Sequence, residues 1–467
     1  MGQPTPDSVF LDLGVTGLEL PAPIRQYQWE GVNFLLSSDA ALMADEMGLG
    51  KTVQAAIALD LLLRQPLCDR ALVVTPASLR LNWERELARW APQLTVRRIQ
   101  GSFNDRAAAF RLPIPVLIAS YEQVRTHAEG LADGTHFDVV ILDEAQRIKN
   151  RDSDTALACR LLPRSRSWAL TGTPVENSRE DLVSLFNFVS PGLLHNRMPR
   201  SELHERMQQH FLRRKKEDVL RDLPPIIVQD LPLELLNEQR AAYEMVWESR
   251  KAFARQGGVP VSEGQLLALI TKLKQLCNFH PQSGESVKAD SLELILDGLN
   301  ETADKVVIFS QYVETLKWLS DRLVGFPHEL YHGQLPERER DQVLARFRAQ
   351  PGPRALLISL QAGGVGLNLQ EASAVLLFDR WWNPAVENQA IQRAHRFGRQ
   401  RPLHVFRFLI TSTIEERIAA VLEEKRVTFE QYVELAESAL VRLFSRSELR
   451  RLLDLTAQDV DTGLETP

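Results

Sequence analysis

The sequence predicts an α/β protein made of two parallel-sheet blocks in tandem, on three observations. Short apolar runs alternate with helix-period segments twice along the 467 residues. The first block carries a glycine-rich phosphate cradle between a strand and a helix, and a later strand of that block ends in two adjacent carboxylates. In chain order, strands are expected at residues 41–44, 71–75, 116–120, 139–142 and 168–171, with helical segments between them. That alternation reads as a parallel, doubly wound sheet. The second block repeats it at 306–310, 329–332, 355–359, 374–379 and 404–409, without a Gly-Lys-Thr of its own. Between the blocks, 199–222, 234–254 and 265–277 read as helical, 256–262 as a flexible loop and 282–286 as a hinge or surface loop. Residues 456–467 form a short acidic tail, expected to fray.

Composition bounds what surrounds these elements. The 44% hydrophobic and 25% charged residues are ordinary globular material, and the length gives a prior of about two to four domains. A net charge of −6 and a pI of about 6.0 exclude a protein that coats nucleic acid by bulk charge, so such binding needs a local basic track. Cys68, Cys159 and Cys277 are far apart with no C-x-x-C spacing, which argues against a zinc module or a disulfide framework. The N-terminus lacks a basic-then-apolar signature and no apolar run reaches membrane length. The expectation is a soluble cytoplasmic protein, nucleoid-associated if bacterial, with no membrane partner and no zinc.

The cradle is Leu42-Met-Ala-Asp-Glu-Met-Gly-Leu-Gly-Lys-Thr52. Residues 40–44 are apolar enough for a buried strand, Gly48 and Gly50 free the backbone, and 53–63 read as a helix whose first N–H groups would face phosphates. Lys51 would reach the β and γ oxygens, and the Thr52 hydroxyl would hold Mg²⁺. Asp45, Met47, Gly48, Gly50, Lys51 and Thr52 are therefore the expected nucleotide contacts. Asp45 stands where the usual G-x-x-x-x-G-K-[ST] pattern has its first glycine. Taken alone, an ordinary glycine loop before a helix is the alternative.

The second element is Val139-Val-Ile-Leu-Asp-Glu-Ala-Gln146. Asp143 would bind Mg²⁺, usually through water, and Glu144 would polarise the attacking water. A lone Asp-Glu after a strand is more often a solvated turn; following the cradle, it points to triphosphate hydrolysis. In the second block, Gln389-Ala-Ile-Gln-Arg-Ala-His-Arg-Phe-Gly-Arg399 sets Arg393 and Arg396 at i,i+3, so both can lie on one helix face. If that face meets the cradle across a cleft, both arginines stabilise charge on the γ-phosphoryl. A solvated basic helix face is the bland alternative.

Residues 24–455, over nine-tenths of the chain, resemble the SWI/SNF-type ATPases, double-stranded-DNA translocases of helicase superfamily two. The resemblance rests on an ordered set: Ile24-Arg-Gln-Tyr-Gln-Trp-Glu-Gly31, the cradle, Val73-Val-Thr-Pro-Ala-Ser-Leu79 with Asn82-Trp83, and Asp143-Glu-Ala-Gln146. It continues through Leu170-Thr-Gly-Thr-Pro-Val-Glu-Asn177, Phe211-Leu-Arg-Arg-Lys-Lys-Glu-Asp218, Val307-Ile-Phe-Ser-Gln311, Gln361-Ala-Gly-Gly-Val-Gly-Leu-Asn368, Trp381-Trp-Asn-Pro384 and the arginine segment. The Asp-Glu-Ala-Gln form and compact middle are most similar to short bacterial and archaeal members.

The resemblance implies two RecA-like lobes with a helical insertion between them: an N-terminal extension over 1–23, lobe 1 over 24–192, a helical linker over 193–301 and lobe 2 over 302–412. Brace helices over 413–455 and a flexible tail over 456–467 would follow. It implies ATP and Mg²⁺, with Gln28 reading adenine, Thr171 and Thr173 coupling nucleotide to DNA, and Gly364 and Gly366 approaching nucleotide and DNA backbone. Lys51, Asp143, Glu144, Arg393 and Arg396 would carry catalysis. The implied partner is double-stranded DNA, held without sequence reading by Ser78, Asn82, Tyr121, Thr171, Ser310, Gln311, Ser359 and Asn368, with Arg213 to Lys216 a basic cluster nearby. Trp381 and Trp382 read as core for at least one of the pair. The chain departs from the family at Gln361, Gln392, Arg399 and Phe279. Three readings stay open: a duplex translocase that does not separate strands, a remodeller of DNA-bound protein such as stalled RNA polymerase, and an ATP-gated DNA clamp with little turnover.

Overall fold

Runs such as Leu72-Val73-Val74 and Leu117-Ile118-Ala119 have no polar face, the pattern of strands covered on both sides, and they lie inside a parallel sheet with every residue buried. The structure, a computed structural model, describes residues 20–65, 68–132, 134–172, 179–220, 223–255, 262–302, 304–349, 351–352, 354–360, 367–382, 384–396, 399–424 and 444–455. The chain divides into two compact units, Met1–Asp222 and Leu223–Pro467.

The first unit runs α1 (Gln26–Ser37), β1 (Ala40–Met43), α2 (Lys51–Leu63), β2 (Ala71–Thr75), α3 (Arg80–Trp90), β3 (Val96–Arg98), α4 (Phe103–Phe110), β4 (Val116–Ser120) and α5 (Tyr121–Ala132). It continues with β5 (Phe137–Asp143), α6 (Asp154–Leu161), β6 (Arg164–Leu170), α7 (Arg179–Val189), α8 (Arg200–Met207), β7 (Phe211–Leu212) and α9 (Lys216–Val219). The sheet order is β3-β4-β2-β5-β6-β1-β7, and all neighbours are parallel. Leu42 lies opposite Ala169 and Phe211, and Asp143 opposite Leu170, so the cradle, the carboxylate pair and Thr171 leave the sheet at one edge. Parallel pairing is what collects every carboxyl end there. Leu42, Leu72, Val74, Leu117, Val140 and Leu142 share one buried cluster with Phe110, Val124 and Phe186 from the helices.

The second unit runs β8 (Ile226–Leu233), α10 (Asn237–Arg255), α11 (Glu263–Asn278), α12 (Val287–Thr302), β9 (Lys305–Ser310), α13 (Val313–Arg322), β10 (His328–Tyr331), α14 (Glu337–Ala349) and β11 (Arg354–Ser359). Then follow β12 (Ala374–Leu377), α15 (Pro384–Ala394), β13 (Leu403–Ile410), α16 (Ile414–Glu424) and α17 (Arg446–Leu452). Its sheet order is β10-β11-β9-β12-β13-β8, again all parallel. Alternation divides the strands between two faces: Val307 and Phe309 enter one cluster, Val306 and Ile308 the other. A further cluster joins α10 and α11 to α16, α17 and Trp382. The described parts of the expected brace thus pack within their own unit.

All ten expected strands are present with ends moved by a few residues. Three others were not expected. β3 is Val-Arg-Arg at a sheet edge, too short and too charged to give an alternating signal. β7 is two residues inside a stretch expected to be helical: among the described residues of 199–222, 200–207 and 216–219 form α-helix, and Phe211 and Leu212 pair with β1 instead. β8 carries Pro232, which a sheet tolerates at an edge strand, and β8 is an edge.

Candidate active site

The cradle leaves β1 and turns into α2 through two residues that need a left-handed backbone, Gly48 at φ 89° and Gly50 at φ 79°. Space as well as φ demands glycine: a Cβ on Gly50 would fall 2.7 Å from Gln28 Nε2. Across the loop, a Cβ on Gly172 would fall 2.5 Å from Met47 Cγ and 3.3 Å from Lys51 Nζ. The loop is therefore a cradle with its walls already in contact. Gln28 is buried, its Oε1 accepting from Arg25 N at 2.9 Å and its Nε2 directed at the Leu49 carbonyl at 3.5 Å. Lys51 Nζ donates to the main-chain carbonyls of Asp45 at 2.6 Å and Glu46 at 3.4 Å. Thr52 follows it in the first turn of α2, where main-chain N–H groups have no acceptor within the helix.

Asp45 is fully buried, and Arg214 donates to both its oxygens, from Nε at 3.0 Å and from a terminal nitrogen at 2.5 Å. Its side chain is thus a structural partner of the cradle, and its carbonyl is what Lys51 meets. This clarifies why an aspartate can stand where the common pattern has glycine.

Asp143 ends β5, and its carboxylate is held on three sides. Oδ2 accepts from Trp83 Nε1 at 2.7 Å and Thr75 Oγ1 at 3.0 Å, and Oδ1 from the Glu144 amide at 3.1 Å. Burial pushes its pKa up to about 6, with the neighbouring Glu144 charge adding to the rise and the Trp83, Thr75 and Lys51 interactions opposing it. A carboxylate has about four acceptor sites, so these donors leave about one. That suits Mg²⁺, which keeps most of its water and takes few protein ligands directly; Thr52 and Asp143 have the hard oxygen chemistry to hold it.

Glu144 adopts φ 52° and ψ 51°, a left-handed conformation rare outside glycine. Its Oε2 accepts from Gln146 Nε2 at 2.8 Å, and Gln146 Oε1 accepts from Thr171 Oγ1 at 2.8 Å. A chain of side chains thus links the carboxylate after β5 to the residue after β6. Tyr121, buried, donates to the Asp143 carbonyl at 2.7 Å.

The remaining expected residues, Asn368 apart, also sit at or just beyond the carboxyl ends of strands. Ser78 is exposed and Asn82 half-buried just beyond β2, while Tyr121 and Thr171 are buried with their hydroxyls engaged inside the unit. In the second unit, Ser310 is buried and donates to Asp379 Oδ2, Gln311 Oε1 accepts from Lys274 Nζ at 3.0 Å, and Ser359 is buried at the end of β11. Asn368 is half-buried between β11 and β12. Thr173, Gly364 and Gly366 lie outside the described residues.

α15 ends at Ala394, so Arg393 is on the helix and Arg396 lies past it. The expectation of one shared helix face does not hold. Arg393 is buried, its carbonyl accepts from Leu369 N at 3.0 Å, and His395 Nε2 contacts the Pro224 carbonyl at 2.7 Å where the helix stops. Arg399 donates to the carbonyls of Ala372 at 2.6 Å and Pro402 at 2.8 Å, a fixed post for the turn before β13. Trp381 and Trp382 are both buried. Phe279 stacks on Trp318 with centroids 4.4 Å apart.

Sequence reading did not single out Thr75 or Trp83 as the holders of Asp143, nor Arg214 as the partner of Asp45. For Trp83 a signal existed: a buried indole has one donor and no acceptor, so it requires an acceptor close by.

Comparison with known proteins adds two family matches, the SNF2-related domain over residues 27–283 and the helicase conserved C-terminal domain over 287–398. An "Uncharacterized ATP-dependent helicase" of Mycoplasma pneumoniae is 34% identical over 430 residues, 86% of this chain and 41% of the relative. The "DNA repair and recombination protein RAD54-like" of Gallus gallus is 32% identical over 524 residues, 92% of this chain and 70% of the relative. A solved structure, the SWI2/SNF2 ATPase core of Sulfolobus solfataricus in complex with dsDNA, is 28% identical, with 95% of this chain and 100% of that chain covered. Its TM-score is 0.44, a superposition too loose to compare architecture. The chain spans 41%, 44% and 51% of the length of three bacterial relatives.

Proposed function

The chain belongs to the SNF2-related ATPase family, and from that premise we propose that it hydrolyses ATP to ADP and phosphate when stimulated by double-stranded DNA and uses the cycle to move along the duplex. The carrying observation is the convergence at one sheet edge of Lys51 and Thr52, the Asp143-Glu144 pair and Thr171, with Asp143 held by Trp83 and Thr75 and Glu144 by Gln146, itself bonded to Thr171. Lys51 leaves the Asp45 and Glu46 carbonyls for the β and γ oxygens. Thr52 and Asp143 would hold Mg²⁺, which would neutralise charge on those oxygens. Glu144, oriented by Gln146, accepts a proton from the attacking water. Arg393 and Arg396, from the second unit, stabilise charge on the γ-phosphoryl, an effect of about 10³ to 10⁵ in rate for such arginines. Gln28 favours adenine because its amide can both donate and accept, and Gly366 is assigned to the nucleotide.

Duplex DNA is assigned to the carboxyl edges of both sheets, where Ser78, Asn82 and Gln311 are the more accessible candidates, with Asn368 in the segment before β12. Tyr121, Thr171, Ser310 and Ser359 set the shape of those loops from beneath. A partner protein on the DNA is a second use of the same cycle. No described helix is long and apolar enough to cross a membrane.

Replacement tests the reading. Lys51→Ala and Glu144→Gln are each expected to lower ATP turnover at least about a hundredfold while retaining duplex binding in a gel-shift or anisotropy titration. Turnover that survives in both variants contradicts the assignment.

A further inference from the structure

The segment after α8 is attached to the phosphate cradle residue by residue. Phe211 and Leu212 pair with β1, Ala44 N donates to the Leu212 carbonyl at 2.7 Å, and Glu46 N donates to the Arg214 carbonyl at 2.9 Å. Lys216 N then donates to Glu46 Oε2 at 2.7 Å. At the centre is Arg214, whose side chain is 10% exposed against an Asp45 side chain at 0%. Besides both Asp45 oxygens it reaches Gln54 Oε1 at 2.9 Å and the Tyr27 carbonyl, and its guanidinium lies 5.3 Å from the Tyr27 ring centroid. Sequence placed this arginine in a basic cluster suited to nucleic acid, and the geometry turns it inward.

Three further observations make this more than an ordinary buried ion pair. Asp45 and Glu46, whose side chains the segment holds, are the two residues whose carbonyls receive Lys51 Nζ. Gly31 on α1 keeps room for the clamp, since a Cβ there would fall 1.8 Å from Gln54 Oε1 and 2.9 Å from the Arg214 terminal nitrogen. And the chain that carries Arg214 begins β8, the edge strand of the second unit's sheet, about twelve residues further on, at Ile226.

We propose that Arg214 is a positioning residue that fixes the phosphate cradle to the chain segment entering the second unit, and so sets how strongly nucleic acid accelerates turnover. When Lys51 exchanges the Asp45 and Glu46 carbonyls for phosphate oxygens, the loop loses two of its internal bonds and keeps those to Arg214, the Leu212 carbonyl and the Lys216 amide. A change in the loop is then a change in the segment that leads to β8. The planar fork matters because it meets the two carboxylate oxygens with two nitrogens in a fixed plane, a geometry that the single nitrogen of an ammonium does not supply.

This inference rests on the ATPase reading, and one experiment separates the two. Steady-state ATP turnover of the full chain is measured with and without duplex DNA for the wild type, Arg214→Lys and Gly31→Ala, with thermal unfolding of each as a check on folding. Arg214→Lys keeps the charge and loses the fork; Gly31→Ala keeps both Arg214 and Asp45 in the sequence and pushes a methyl group against Gln54 Oε1 and the Arg214 terminal nitrogen. Both are expected to lower the ratio of stimulated to basal turnover about tenfold while KM for ATP moves less than about threefold. A ratio equal to the wild type in the folded variants overturns the proposal, and so does an equal proportional fall in basal and stimulated rates, which a purely structural role would give. A wild type that duplex DNA does not stimulate overturns the functional reading itself. If Arg214→Lys does not fold, Gly31→Ala alone decides, by the same ratio.

Discussion

Glu144 illustrates how much of the site is decided by single side chains. Its left-handed backbone costs on the order of 1 kcal/mol for a residue with a Cβ and persists because its neighbours hold it, the amide on Asp143 and the carboxylate on Gln146. A carboxylate that must orient water benefits from such restraint, since a misplacement of about 1 Å can cost on the order of a hundredfold. Gln146→Ala and Thr171→Val remove successive links of the chain that restrains it. Each is expected to lower kcat for ATP by about tenfold or more with KM within about threefold, read from steady-state kinetics. A rise in KM at constant kcat would mean that these residues bind nucleotide and do not orient the base. At this scale the candidate carboxylates are legible in sequence and the side chains that hold them are not. Asp143 and Glu144 announce themselves by following an apolar run, whereas Trp83 lies on a different helix, and only the parallel sheet brings α3 to β5.

Among the elements, α11 shows what helical periodicity leaves unsaid. Lys274 sits on its apolar face, buried, donating to Gln311 Oε1 and the Arg380 carbonyl at 2.7 Å, with its ammonium 4.5 Å from the Trp382 ring centroid. Burial lowers its pKa to about 8, against the attraction of Asp379, Glu415 and Glu387. Between about pH 8 and the unfolded value of about 10.4, the unfolded chain keeps a proton on this lysine that the folded chain has lost. Stability therefore rises with pH in that window, by up to about 1.4 kcal/mol per unit. Denaturant titrations of wild type and Lys274→Met from pH 7 to 10 are expected to show the wild type gaining on the variant above pH 8. Parallel curves would mean that Lys274 is neither so buried nor so poor in charge. The ten expected strands emerged because fully buried strands are runs of apolar β-formers. β7 was invisible for the opposite reason: two residues flanked by helix and cations have no period, and only β1 beside them makes them a strand.

For the whole molecule, charge constrains the partner. A net charge of −6 leaves no general attraction to nucleic acid, so the duplex affinity proposed above would have to come from a limited set of local contacts. Phosphate contacts release counterions, and affinity should fall at least about tenfold between 50 and 200 mM salt, measured by anisotropy on a duplex of arbitrary sequence. A flat response would rule out a phosphate track. The division into two units also explains why sequence conveyed the halves better than their relation. Each half repeats one sheet logic, while ATP use as proposed needs Lys51 and Glu144 from the first and Arg393 and Arg396 from the second, more than two hundred residues apart. The most direct measurement is steady-state ATP hydrolysis by the full chain with duplex DNA, single-stranded DNA, RNA and no nucleic acid. The expected result is stimulation of about tenfold or more by duplex, exceeding that by single strand or RNA; equal turnover in all four, or none in any, would contradict the account.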